Sequence, residues 1–169
     1  MKLLLKIELS DKTKKEITDQ LSDLKKTYPQ FQWESVENYN ILVHSFGEFL
    51  DKKSTIAKLE TALFDKNTFY FYAYEVSLTI QNKITLCLDF RREKEIERIS
   101  KSIKEEFQIA QGSEKYVPRL ILANYKIPSK QQYFVIKKRL TSLDIDISFK
   151  INKLILFDDD KKIHIFKLL

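Results

Sequence analysis

The sequence predicts an α+β fold: a duplicated, two-lobed sheet structure with a central cleft and helices on its outer faces. Two observations carry the prediction. Strand-like and helix-like hydrophobic periods alternate in the order strand, helix, strand, helix, strand, and this order occurs twice. The spacing also repeats, since 37 positions separate Leu3 from Asn40 and 35 separate Ile84 from Arg119. Two such units facing each other make a groove lined by their second strands, with helices outside. With 169 residues the chain is expected to form a single two-lobed domain, its repeats covering about 1–80 and 81–169.

In chain order, Lys2 to Leu9 alternates as a strand, with Leu3, Leu5, Ile7 and Leu9 on one face. Ser10 caps a helix over Lys12 to Thr27, in which Ile17, Leu21 and Leu24 recur at helical spacing, and Pro29 ends it. Phe31 to Glu34 is a short extended piece carrying the only tryptophan, Trp33. Asn40 to Phe46 is a strand ending at the Gly47 turn, and a helix from about Ser54 follows with Ile56, Leu59, Ala62 and Leu63 as its stripe. Phe69 to Val76 is a strand. The second unit runs through a strand at Ile84 to Phe90, a helix at Arg92 to Ile109 and a strand at Arg119 to Tyr125. A helix over Lys130 to Leu140, capped by Ser129, then leads to a closing hairpin of Ile145 to Phe157 with Lys161 to Leu168.

Composition bounds the function classes. Two glycines and three prolines leave little room for linkers. No apolar run approaches the roughly 20 residues of a membrane span, and the apolar start is too short for a signal peptide, so a cytoplasmic protein without a membrane role is expected. Cys87 is the sole cysteine and sits in an apolar run, which excludes an intrachain disulfide and reads as a buried small hydrophobe. The net charge of +6 permits a polyanionic partner without requiring one, because lysines and glutamates are intermixed along the helices. Asp158-Asp159-Asp160 reads as a hairpin turn, and neither a phosphate-binding glycine loop nor zinc-ligand spacing occurs. No cofactor is implied. In Phe69-Tyr70-Phe71-Tyr72-Ala73-Tyr74, at least one face must be buried, and the other is either packing or a platform for unpaired bases.

Two strands carry the functional signal. Asn40 and Leu42 share one face of the first, followed by Ser45-Phe46-Gly47-Glu48; Arg119 and Ile121 share one face of the second, preceded by Val117-Pro118. In this arrangement the chain resembles the two-histidine phosphoesterase superfamily, specifically its RNA 2',3'-cyclic phosphodiesterase (2',5' RNA ligase) branch. Members carry His-x-Thr twice, the first leading into a Phe-Leu-Gly-Glu-like turn and the second following Val-Pro. The resemblance spans nearly the whole chain and places Asn40 and Arg119 at the two histidine positions and Leu42 and Ile121 at the two threonine positions.

Opening a cyclic phosphate needs one group to accept a proton and another to donate one, for which imidazoles suit neutral pH. Asn40 exchanges no proton near pH 7, Arg119 never gives its proton up, and Leu42 and Ile121 have no polar atoms. The resemblance therefore implies a protein that has lost catalysis and binds RNA ends or a phosphorylated nucleotide in the former cleft, through Asn40 and Arg119, the alternative for Arg119 being a salt bridge or simple filling of the space of a histidine. His44 is an auxiliary candidate on the strand face of Asn40, about 13 Å along it. Alternatives are a weakly active phosphodiesterase with rearranged groups and a protein-interaction module on the same scaffold. A monomer is expected.

Overall fold

The computed structural model describes residues 2–48, 50–112 and 115–169. Among the described residues, nine strands form two antiparallel sheets, accompanied by four α-helices and a short 3-10 helix at Val36–Asn38. The first half supplies β1 (Leu3–Glu8), α1 (Asp11–Thr27), β2 (Gln32–Trp33), β3 (Asn40–Gly47), α2 (Lys52–Leu63) and β4 (Phe69–Ile80). The second half supplies β5 (Ile84–Phe90), α3 (Lys94–Glu106), β6 (Arg119–Tyr125), α4 (Lys130–Thr141), β7 (Ile147–Ile151), β8 (Lys153–Asp158) and β9 (Lys161–Lys167). One sheet has the order β3-β1-β8-β9 and the other β2-β6-β5-β4-β7. Each sheet therefore draws strands from both halves of the chain.

The local signals explain most of these elements. The Ser10 hydroxyl accepts from the Thr13 amide, and the buried stripe of α1 is Ile17, Leu21 and Leu24. Ser129 caps α4 in the same way, accepting from the Gln132 amide. The second helix starts earlier than the sequence suggests, because Asp51 rather than Ser54 is the cap: its carboxylate accepts from the Ser54 amide at 2.9 Å. Gly47 closes β3 at φ +83°, in the left-handed region that glycine occupies without strain.

Two departures from the expected elements shape the site. Ile145 to Phe157 is not one strand. It divides at Asn152 into β7, paired with β4, and β8, paired with β1, so the chain changes sheets there. The expected hairpin then closes between β8 and β9, with Asp159 at φ +52° in its turn. Second, β3 carries a bulge. Its pairing with β1 passes from Leu42 opposite Lys6 to His44 opposite Leu5, leaving Val43 as the extra residue.

Each sheet has an apolar face under helices and a more polar face toward the other sheet. On the first, Leu3, Leu5 and Ile7 are buried, while Lys6, Leu42 and Phe157 take the opposite side. On the second, Phe69, Phe71 and Ala73 are buried on the face where α4 packs. Among the described residues, no helix is long and apolar enough to cross a membrane.

Candidate functional site

The strands β3 and β6 approach each other across the sheet boundary, where the Tyr116 hydroxyl donates to the Leu42 carbonyl at 2.7 Å. Burial raises the pKa of that phenol, so it remains a donor at neutral pH. Beside this bridge lies a groove of about 420 Å³ lined by Leu42, Arg119 and Ile121, with Cys87 in its wall and the β4–β5 turn, including Lys83, at its rim. Three of the four positions singled out from the sequence thus meet in one groove. Leu42 and Ile121 are 47% and 50% exposed, so the groove is apolar but open.

Asn40 stands apart. It opens onto a neighbouring depression shared with Glu8, Glu37 and Asp160, and its Nδ2 donates to the Asn38 carbonyl at 3.0 Å. Three carboxylates make that depression acidic. The structure brings Arg119 to the groove floor and does not bring Asn40 into the same groove.

Arg119 is itself held in place. Its Nε lies 3.4 Å from Asp89 Oδ1, the residue directly opposite on β5. Asp89 is 7% exposed, and its Oδ1 has no hydrogen-bond partner, so the guanidinium is the counter-charge that makes this buried carboxylate tolerable. Sequence reasoning missed Asp89. The available signal was a lone acid inside the otherwise uncharged strand Ile84-Thr85-Leu86-Cys87-Leu88-Asp89-Phe90. Cys87, next along that face, is buried as expected; desolvation and then the Asp89 charge raise its thiol pKa, only partly opposed by Arg119 and a Thr79 hydrogen bond.

The two histidines lie outside the groove. The bulge at Val43 turns His44 away from the face of Asn40 and Leu42, correcting the simple alternation that put all three together. Its ring packs 4.6 Å from Phe46, which packs 4.8 Å from Phe107 at the end of α3. His164 pairs with Glu60 of α2 at 3.2 Å, on the helix side of the first sheet. Trp33 borders β6 at the sheet edge, its indole donating to the Tyr28 carbonyl at 2.9 Å.

Burial and then the nearby Lys104 charge lower the His44 pKa below the ordinary 6.5. The unfolded chain therefore takes up this proton before the folded one, and stability is lost as pH falls from about 6.5 through the lower folded value. A His44→Gln variant is expected to lose less stability than the parent between pH 7 and pH 5 in urea unfolding. Equal losses in the two proteins would contradict this placement of His44.

No protein-family model matches the sequence, and no curated protein matches it. Solved structures do. Thermus thermophilus TT0787 superposes with a TM-score of 0.73 at 10% identity, over 99% of this chain and 98% of that one. E. coli LigT complexed with ATP gives 0.66 at 10% identity, covering 99% and 97%. Kluyveromyces marxianus Usb1 gives 0.66 at 10% identity, covering 99% and 98%. Another match is described simply as a phosphoesterase, with a TM-score of 0.67 at 10% identity. At this identity the likeness is one of fold: the chain has the two-lobed phosphoesterase fold that its motif strands imply.

Proposed function

We propose that this protein binds the phosphorylated end of an RNA, or a phosphorylated nucleotide, in the groove between β3 and β6 and does not hydrolyse it. The observation that carries the reading is the chemistry of the groove lining. Among the described residues its cations are Arg119 and Lys83, and its one other ionisable side chain is Cys87, whose raised pKa keeps it protonated at neutral pH. None of the three relays a proton near pH 7, whereas a guanidinium can pair two phosphoryl oxygens through its planar fork. Structures of E. coli LigT, which shares the fold, are complexed with 3'-AMP, phosphate and NADP+ as well as ATP, and they support a ligand of this class.

The test is a titration with a short RNA ending in a 2',3'-cyclic phosphate, compared with the same RNA ending in hydroxyls. The parent protein should prefer the phosphate end. Arg119→Lys, which keeps a counter-charge for Asp89, should lower affinity by about ten- to 150-fold, the range for losing charge-assisted hydrogen bonds. No preference for the phosphate end, or full affinity in Arg119→Lys, would refute the assignment.

A further inference from the structure

The aromatic run on β4 splits cleanly by face. Phe69, Phe71 and Ala73 are buried, whereas Tyr70, Tyr72 and Tyr74 are 48%, 49% and 43% exposed. The exposed face is the one that carries Arg119. Directly paired residues share a face, and the register joins Arg119 to Asp89 and Asp89 to Glu75. A bulge at Tyr74 and Glu75 sets both opposite Asp89, so the tyrosine row begins two strands away from the arginine, about 10 Å. From there the row runs along β4 for about 13 Å, advancing about 6.7 Å per ring.

Cations accompany the rings. The Arg91 guanidinium lies 5.9 Å over the Tyr74 ring, and Lys150 pairs with Tyr70 across β7. The Tyr70 and Tyr72 rings are 6.3 Å apart and inclined by 29°, giving neighbouring near-parallel faces. Glu75 and Asp89 are the acids on this face, and Asp89 is already offset by Arg119.

We propose that this row is a base-stacking track for single-stranded RNA, continuing from a terminal phosphate at Arg119 across Tyr74, Tyr72 and Tyr70. The proposal rests on the phosphate-end reading above and adds the ligand class: a single strand of at least about three nucleotides, one per ring. Three features select this occupant over a protein surface. The rings follow one another along a single strand face, they end in hydroxyls able to bond phosphate or ribose, and a cation stands beside the first and the last of them, Arg91 at Tyr74 and Lys150 at Tyr70. Aromatic stacking tolerates any base, so sequence preference should be weak.

The test compares adenosine 2',3'-cyclic phosphate with a single-stranded oligoadenylate pentamer carrying the same terminus, using the parent protein, Tyr72→Ala and Tyr72→Phe. The pentamer should bind the parent more tightly than the mononucleotide. Tyr72→Ala should weaken the pentamer by about five- to 150-fold and leave the mononucleotide unchanged, while Tyr72→Phe, which keeps the ring face, should retain most of the affinity. Equal affinity for both probes, or a pentamer advantage that survives Tyr72→Ala, overturns the track while leaving the phosphate-end reading intact. Binding of neither probe overturns both, and would mark the tyrosine face as a protein contact.

Discussion

Incubated with a nucleoside 2',3'-cyclic phosphate, the purified protein should leave the ring closed. A positioned general acid or base contributes about 10² to 10⁴ in rate, so absence of both leaves turnover about 10⁴ to 10⁸ below that of a site equipped with the pair. Arg119 keeps its proton, Cys87 holds its own more tightly than a free thiol, and Leu42 and Ile121 give no hydrogen bond to a developing oxyanion. Neither histidine rescues the step, since His44 packs toward α3 and His164 pairs with α2. Arg119→His alone should not restore activity, because a second proton-transfer group is still missing. Chromatography of the nucleotide after prolonged incubation reads the outcome directly. Conversion abolished by His44→Ala would show that this histidine reaches substrate and that β3 moves.

The largest loss of stability is expected at Phe71. Its side chain is fully buried, and its ring lies 5.2 Å from Phe69, 5.0 Å from Phe90 and 6.0 Å from Phe149, with α4 over the strand. Phe71→Ala removes the ring and leaves a cavity its neighbours only partly fill, at a cost of about 3–5 kcal/mol. For a chain of this size each kcal/mol lowers Tm by about 2–4 °C, so the variant should melt about 6–20 °C below the parent. Tyr72→Ala, one position along on the exposed face, should cost only about 0.2–1 kcal/mol of cross-strand packing. Thermal unfolding of the two variants side by side tests the assignment of faces. Similar losses would mean that β4 is buried on both sides and that the tyrosines belong to the core.

The fold was legible wherever a local signal decides the element. Ser10 and Ser129 cap helices, Pro29 follows α1, and the alternation of β1 survives intact in its burial, with Leu3, Leu5 and Ile7 inward. What escaped was set by partners distant in sequence. Asn152 carries no glycine or proline mark, yet β7 and β8 belong to different sheets because β4 and β1 compete for adjacent segments. The bulge at Val43 is a property of the β1–β3 register, and without it strict alternation misplaces His44.

At the site, the family resemblance singled out Leu42, Arg119 and Ile121, and these three line one groove. Asp89 was not singled out, since its role depends on lying opposite Arg119 on a neighbouring strand. The separation of Asn40 from Arg119 has the same origin: position along a strand says which face a residue takes, and only the packing of two sheets says which groove it enters. In the aromatic run the sequence required one buried face without saying which; the phenylalanines take it, and the tyrosines keep their hydroxyls toward solvent.

On the proposed function, the groove recognises phosphate and transfers no proton. Phosphorus NMR of a cyclic-phosphate-terminated RNA in the presence of the protein measures both halves at once. The expected result is a shifted or broadened cyclic-phosphate resonance that keeps its full intensity over the incubation. Growth of a phosphomonoester resonance at the expense of the cyclic one, or a cyclic resonance unmoved by the protein at any concentration, would contradict it.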